Sequence, residues 1–163
     1  MKLLLMVILV LPIAVLLFLA VLSWSARPPQ TGLEQGRLRP CPDTPNCVSS
    51  EDDVAAEQQV APLALEPDLP QGWSLVRKAV ELEGGRLVRE EPGYLHATWT
   101  SRWFRFVDDV ELRLDEAAAV IHMRSASRAG YSDLGVNRKR LESLRRRFQV
   151  LQEEAGNRSM RRP

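Results

Sequence analysis

The chain is poor in the residues that build most recognisable sites. Its 163 residues include two cysteines and two histidines, 6% are aromatic, and the net charge is +1. Two cysteines do not make a disulfide-dense scaffold, and about 110 residues beyond the hydrophobic start and the tail can bury a core without one. The near-zero charge excludes a global attraction to nucleic acid. The Gly-Lys-Ser/Thr signature of a phosphate-binding loop is missing, no nucleophile-elbow pattern surrounds any serine, and there are no internal repeats. Charge is nevertheless uneven. Nine basic and three acidic residues from Val136 onward leave +6 there and −5 in the rest of the chain.

What the chain does have begins at its start. Leu3 through Leu22 is an apolar run interrupted only by Pro12. At about 1.5 Å per residue it reaches about 30 Å, the hydrocarbon thickness of a bilayer. The run exceeds the usual apolar region of a secretory signal and predicts a transmembrane anchor, with a cleaved signal as the alternative because Ser23–Ala26 offers small residues. Residues 1–26 are read as anchor or uncleaved signal, 27–40 as linker, 41–153 as the folded domain and 154–163 as a flexible basic tail. Counting positive charges across the run does not favour export. The two cysteines, Cys41 and Cys47, decide the expectation. An even pair behind an export segment, in a loop stiffened by Pro40, Pro42 and Pro45, reads as a disulfide in an oxidising compartment. Two inert thiols or a metal half-site are the alternatives. The expected location is the inner (cytoplasmic) membrane, single-pass, with the domain on the periplasmic side.

Residues 48–72, with an acidic patch at Glu51, Asp52 and Asp53, read as irregular chain over the domain. Trp73, Val76, Ala79 and Val80 share one helical face between Gln71 and Leu82, and Gly84-Gly85 ends that helix. Four strand patterns follow: Arg86–Glu91, Tyr94–Ser101, Trp103–Leu114 and Ala119–Ser127. A second helix runs from Asn137, a good N-cap, to about Glu153, with Leu141, Leu144, Phe148 and Leu151 as its buried stripe. Short turns between strands require antiparallel pairing. The predicted fold class is α+β: an antiparallel sheet of about four strands with helices packed on one face, preceded by one N-terminal transmembrane helix.

A turn centred on Glu116-Ala117 pairs Leu112 with Ile121 and Val110 with Met123. It sets Asp109 opposite Arg124 and Glu111 opposite His122. The face away from the helices then carries Arg105, Asp109, Glu111, His122 and Arg124, with Tyr94 and His96 from the neighbouring strand. This is either solvated cross-strand pairing, a concave ligand site, or a catalytic or metal site. Asp108 points inward, where a carboxylate needs a partner; Arg128 and Arg138 are candidates. The stretch Arg124 to Arg138 is rich in serine, glycine and arginine ahead of a helix N-terminus. That combination suits an anion, or else merely caps the helix.

Pro40-Cys41-Pro42 with Pro45-Asn46-Cys47-Val48-Ser49-Ser50, then Phe106-Val107-Asp108-Asp109-Val110-Glu111, then Arg124-Ser125-Ala126-Ser127-Arg128 with Gly130-Tyr131-Ser132-Asp133-Leu134-Gly135 and Asn137-Arg138, resemble an uncharacterised family, domain of unknown function 1499. The resemblance covers about residues 38–150. It implies a bacterial or plastid protein, often behind an export or membrane segment. It also implies that the cysteine pair, the Asp108-Asp109 strand and the Ser-Arg-Gly-Tyr loop are signature positions, with no assigned activity.

The expected function is a membrane-tethered extracytoplasmic module binding an anionic small molecule or lipid head group. Its candidate ligand-binding residues are Arg124, Ser125, Ser127, Arg128, Tyr131, Asp133, Asn137, Arg138, Asp108 and Asp109. The alternatives are a structural or assembly factor of the cell envelope, and a hydrolase-like enzyme using Asp108, Asp109 or His122. No cofactor, metal or nucleic-acid partner is expected, and no oligomeric state is indicated.

Overall fold

The computed structural model describes residues 2–25, 30–51, 54–66 and 71–160. Asp52 and Asp53 of the acidic patch, the start of the expected linker and the end of the expected tail lie outside them. Helix α1 spans Lys2–Ser25 with Pro12 inside it. Two short strands, β1 (Leu33–Glu34) and β2 (Arg37–Leu38), form a two-stranded ribbon. Strand β3 (Cys47–Ser49), a 3-10 turn (Ala56–Gln58) and strand β4 (Leu63–Ala64) lead to helix α2 (Gly72–Leu82). Strands β5 (Arg86–Glu91), β6 (Tyr94–Thr100), β7 (Val107–Asp115) and β8 (Val120–Ser127) follow, then helix α3 (Val136–Met160).

The main sheet has six antiparallel strands in the order β3-β8-β7-β6-β5, with β4 also pairing β8. Leu95 and Ala97 of β6, Val110 and Leu112 of β7, and Ile121 and Met123 of β8 turn one face towards α2 and α3. They pack there with Val76, Ala79, Val80, Leu141, Leu144 and Phe148. All these residues are 1% exposed or less, so this face is the hydrophobic core. At the helix–sheet junction an added Cβ on Gly85 would fall 2.5 Å from Trp99 Cη2. Only glycine lets α2 hand over to β5 that closely.

Three expectations are corrected here. Among the described residues no helix is long and apolar enough to cross a membrane, so the N-terminal transmembrane helix is not supported. The sheet is also larger than about four strands: eight strands form two sheets. The extra ones, β1 to β4, are two or three residues long, too short to display a period of two, and β1 and β2 arise within the expected linker. Helix α3 runs on to Met160, into the expected tail.

The β7–β8 register also differs. Leu112 pairs with Met123, Val110 with Ser125, Glu111 with Arg124 and Arg113 with His122. The turn lies between Asp115 and Val120, where Ala119 has φ +52° and Asp115 Oδ1 accepts the Ala118 amide at 3.0 Å. The slip is two residues, one full pleat, so each side chain keeps its face and only its partner changes.

Candidate functional site

The face opposite the helices carries Tyr94, His96 and Thr98 from β6, Asp109, Glu111 and Arg113 from β7, and His122 and Arg124 from β8. It is not a solvated sheet face. Asp109 and Glu111 are 0% exposed. The ribbon β1–β2 and the residues after it close this face. The Gly32 amide donates to Glu111 Oε1 at 2.7 Å, and the Leu38 amide donates to Glu51 Oε1 at 3.1 Å.

Three carboxylates organise the enclosed layer. Glu111 also accepts from the Tyr94 hydroxyl at 2.7 Å and from Arg124 Nη1 at 2.9 Å. Asp109 receives Arg128 in a fork, Nε to Oδ2 at 2.7 Å and Nη2 to Oδ1 at 2.8 Å, with His96 Nε2 2.7 Å from Oδ1. Glu51 accepts from Arg113 Nε at 2.9 Å and Arg37 Nε at 2.9 Å. For Asp109 and Glu51 burial is the largest single influence, and it opposes ionisation. The cations outweigh it. Arg128 and His96 hold the Asp109 carboxyl below its ordinary value; Arg113, the Leu38 amide, Arg37 and His122 do the same for Glu51. Ionised Asp109 can only accept, so His96 presents Nε2–H to it. Burial, reinforced by Glu111, pushes the Tyr94 phenol well up, so it stays a donor.

A second polar cluster sits on the opposite side of the sheet, at the edge of the core. Asp108 Oδ2 accepts from Arg140 Nη2 at 2.5 Å. Arg140 Nη1 and Ser125 Oγ both donate to Asn137 Oδ1, at 2.6 and 2.5 Å. Asn137 Nδ2 donates to the Asn46 carbonyl and to Ser127 Oγ, each at 2.9 Å. This cluster locks the start of α3 to Asn46, inside the loop closed by the Cys41–Cys47 disulfide, whose Cα atoms are 5.6 Å apart.

The ten candidate residues therefore do not converge on one site. Asp109, Arg124 and Arg128 lie in the layer under the ribbon; Asp108, Ser125, Ser127 and Asn137 lie on the helix side. Asp108 takes Arg140, not Arg128 or Arg138. Arg138 donates to the Gln59 and Glu57 carbonyls at 3.0 and 2.7 Å. Asp133 rather than Asn137 caps α3, its carboxylate accepting the Gly135 and Asn137 amides at 3.0 and 2.7 Å. Tyr131 is exposed and has no polar contact among the described residues.

Sequence reasoning missed Glu51 as a buried hub, and Arg113 and Arg140 as partners. It also missed a cavity of about 600 Å³ lined by Gly84, Arg86, Thr98, Thr100, Arg105 and Val107. It lies at the end of β6 and β7 remote from the β7–β8 turn, beside the carboxylate layer. Arg86 and Arg105 make no ion pair among the described residues, unlike the arginines of the enclosed layer. Arg105 holds φ +57° in the loop between β6 and β7. A glycine or asparagine would normally occupy that conformation. Registering Arg86 opposite Thr98 was the missing signal, and it requires the β5–β6 bulge between Leu87 and Arg89 to be known.

Hydrolytic chemistry finds little support in this geometry. Ser50 Oγ lies 3.2 Å from His122 Nδ1, but it already accepts the Met123 amide at 2.7 Å and is 4% exposed. Asp109 is sealed from solvent by its own partners. Among the described residues no group of three or more His, Cys, Asp or Glu is placed to hold a metal ion.

Fold and site together define a class: a disulfide-pinned antiparallel sheet with a hydrophobic core on one face and an enclosed layer of ion pairs on the other. The chain belongs to the family described as protein of unknown function (DUF1499), whose model matches residues 37–148. That span holds both polar clusters and the cavity, but starts after β1. No curated protein matches the chain.

Proposed function

We propose that this protein is an extracytoplasmic module that binds an anionic ligand, and that the ligand's charge is met in the cavity between Arg86 and Arg105. The observation that carries the reading is a pair of arginines without carboxylate partners among the described residues, lining with Thr98 and Thr100 an open space. Planar guanidinium groups and hydroxyl donors are the usual means of holding phosphate or carboxylate oxygens. The left-handed backbone at Arg105 costs on the order of 1 kcal/mol, which glycine at that position would relieve. The disulfide supports an oxidising compartment, the periplasm in a bacterial cell. The arginines of the Ser-Arg-Gly-Tyr loop shape this site from behind: Arg128 neutralises Asp109, next to Thr98 in register, and so keeps negative charge away from the cavity.

Arg105→Gly provides the test, because it removes the charge and relieves the backbone. The melting temperature is expected to hold or rise, while affinity for inorganic phosphate, titrated by calorimetry, falls about tenfold or more. Unchanged phosphate affinity in both Arg105→Gly and Arg86→Gln, or no phosphate binding by the parent chain, would overturn the reading.

A further inference from the structure

The cavity opens at an end of the sheet where large apolar side chains are exposed. Two loops leave that end side by side: residues 101–106 between β6 and β7, and residues 128–135 between β8 and α3. They are tied together where Asp108 pairs with Ser127 and the Arg128 amide donates to the Val107 carbonyl at 3.0 Å. The first loop is Ser-Arg-Trp-Phe-Arg-Phe, closed by the Ser101 amide on the Phe106 carbonyl at 2.8 Å. Its Trp103 is 82% exposed and its Phe104 37%; on the second loop Tyr131 is 72% and Leu134 87% exposed. Four large apolar side chains are thus exposed on two loops that leave the same end of the sheet.

The first loop carries only positive charge. Arg102 lies over the Trp103 ring, 5.5 Å from its centroid, and Arg105 follows two residues on. The first loop has no acid. The second has one, Asp133, and both its oxygens are occupied by backbone amides. Exposed Trp, Phe, Tyr and Leu beside arginines that make no ion pair among the described residues have the composition of segments that sit at the headgroup level of an anionic bilayer.

We infer that the 101–106 and 128–135 loops dock on an anionic lipid surface, with Trp103, Phe104, Tyr131 and Leu134 in the interface and Arg102 and Arg105 on the lipid phosphates. This deepens the proposed function and rests on it in one respect. The cavity shares Arg105 and opens beside the tips, so the anion it takes is a lipid headgroup phosphate presented from that surface. The tips themselves dock without the cavity.

Hydrogen exchange of the full chain, resolved by segment, reads the tips separately from the apolar α1. The probes are vesicles of phosphatidylcholine alone and vesicles with phosphatidylglycerol added. Amides of 101–106 and 128–135 are expected to slow about tenfold with the anionic vesicles only. The lipid concentration giving half that protection is expected to rise about fivefold in Arg102→Gln. Trp103→Ala combined with Leu134→Ala, both exposed and so tolerated by the fold, should abolish the protection. No protection of these loops, equal protection by both vesicles, or protection that survives the double substitution overturns docking. Arg86→Gln separates the two claims. It should lose inorganic phosphate binding yet keep loop protection. Loss of phosphate binding in the parent with protection retained overturns the cavity reading alone, and the reverse result overturns docking alone.

Discussion

At the scale of single residues, adjacent carboxylates in one strand lead separate lives. Asp108 and Asp109 point to opposite faces because strand side chains alternate. One joins Arg140 at the core edge, and the other joins Arg128 and His96 beneath the ribbon. Truncating one partner of a buried ion pair is costly, since the stranded charge keeps its desolvation penalty. Arg128→Met is therefore expected to destabilise the fold by about 3 kcal/mol in a denaturant titration, and Asp109→Asn in that background should recover part of the loss. The same carboxylates set the acid limb of stability. Asp109 and Glu51 ionise more readily folded than unfolded, so below the ordinary carboxylate range the unfolded chain binds more protons. Their contribution is fully present above about pH 4 to 5 and is lost as the pH falls through the depressed folded values. Thermal unfolding followed from pH 7 down to pH 3 should show a flat upper region and a steep acid fall. Arg113→Met should lower stability at pH 7 and make the acid fall shallower, because Glu51 then loses part of the depression that makes its stability pH-dependent.

At the scale of elements, the short strands decide how the molecule closes. Strand β3 pairs Cys47 with Ala126 and Ser49 with Arg124, bringing the disulfide loop against β8. Asn46 Nδ2 donates to the Gly130 carbonyl at 2.6 Å, so the same loop also holds the segment before α3. A bridge over so short a loop contributes about 2 kcal/mol by restricting the unfolded chain. The Cys41→Ser, Cys47→Ser variant is expected to lose about that much in a chemical-denaturation curve. The exchange of amides in 128–135 should rise with it, whereas amides of β6 and β7 should change only through global unfolding.

At the scale of the whole molecule, the sheet has two differently built sides, and the ribbon makes the second one possible. A layer holding Glu51, Asp109 and Glu111 at 3% exposure or less is stable only while every donor is in place. Deleting the residues before Pro40 removes the Gly32 amide from Glu111 and Arg37 and the Leu38 amide from Glu51. Hydrogen bonds to buried charged groups are worth about 1.5–3 kcal/mol each. The shortened chain is therefore expected to unfold at a clearly lower denaturant concentration and to expose the amides of residues 109–113 to exchange. Unchanged stability would show that the ribbon merely rests on the sheet.

The sequence by itself determined the long elements and their inner faces. The 3.6-residue spacing of Leu141, Leu144, Phe148 and Leu151 and the alternation through Val110, Leu112, Ile121 and Met123 are local patterns that burial makes obligatory. The motifs around the cysteine pair, the aspartate strand and the arginine loop were likewise legible and led to the family. Tertiary structure decided the rest. Pairing Glu111 with Arg124 turned on a two-residue slip that leaves both faces unchanged, so hydrophobic pattern could not distinguish the registers. Glu51, Arg113 and Arg140 acquire their partners across 62, 62 and 32 residues of chain, separations over which no periodicity speaks. The ribbon strands are too short to carry a pattern at all. The arginine-rich loop looked like an anion site because arginines and a helix start attract anions in general. Packing gave all three of its arginines, Arg124, Arg128 and Arg138, internal partners. The cavity arginines, Arg86 and Arg105, which make no ion pair among the described residues, come from β5 and the β6–β7 loop instead.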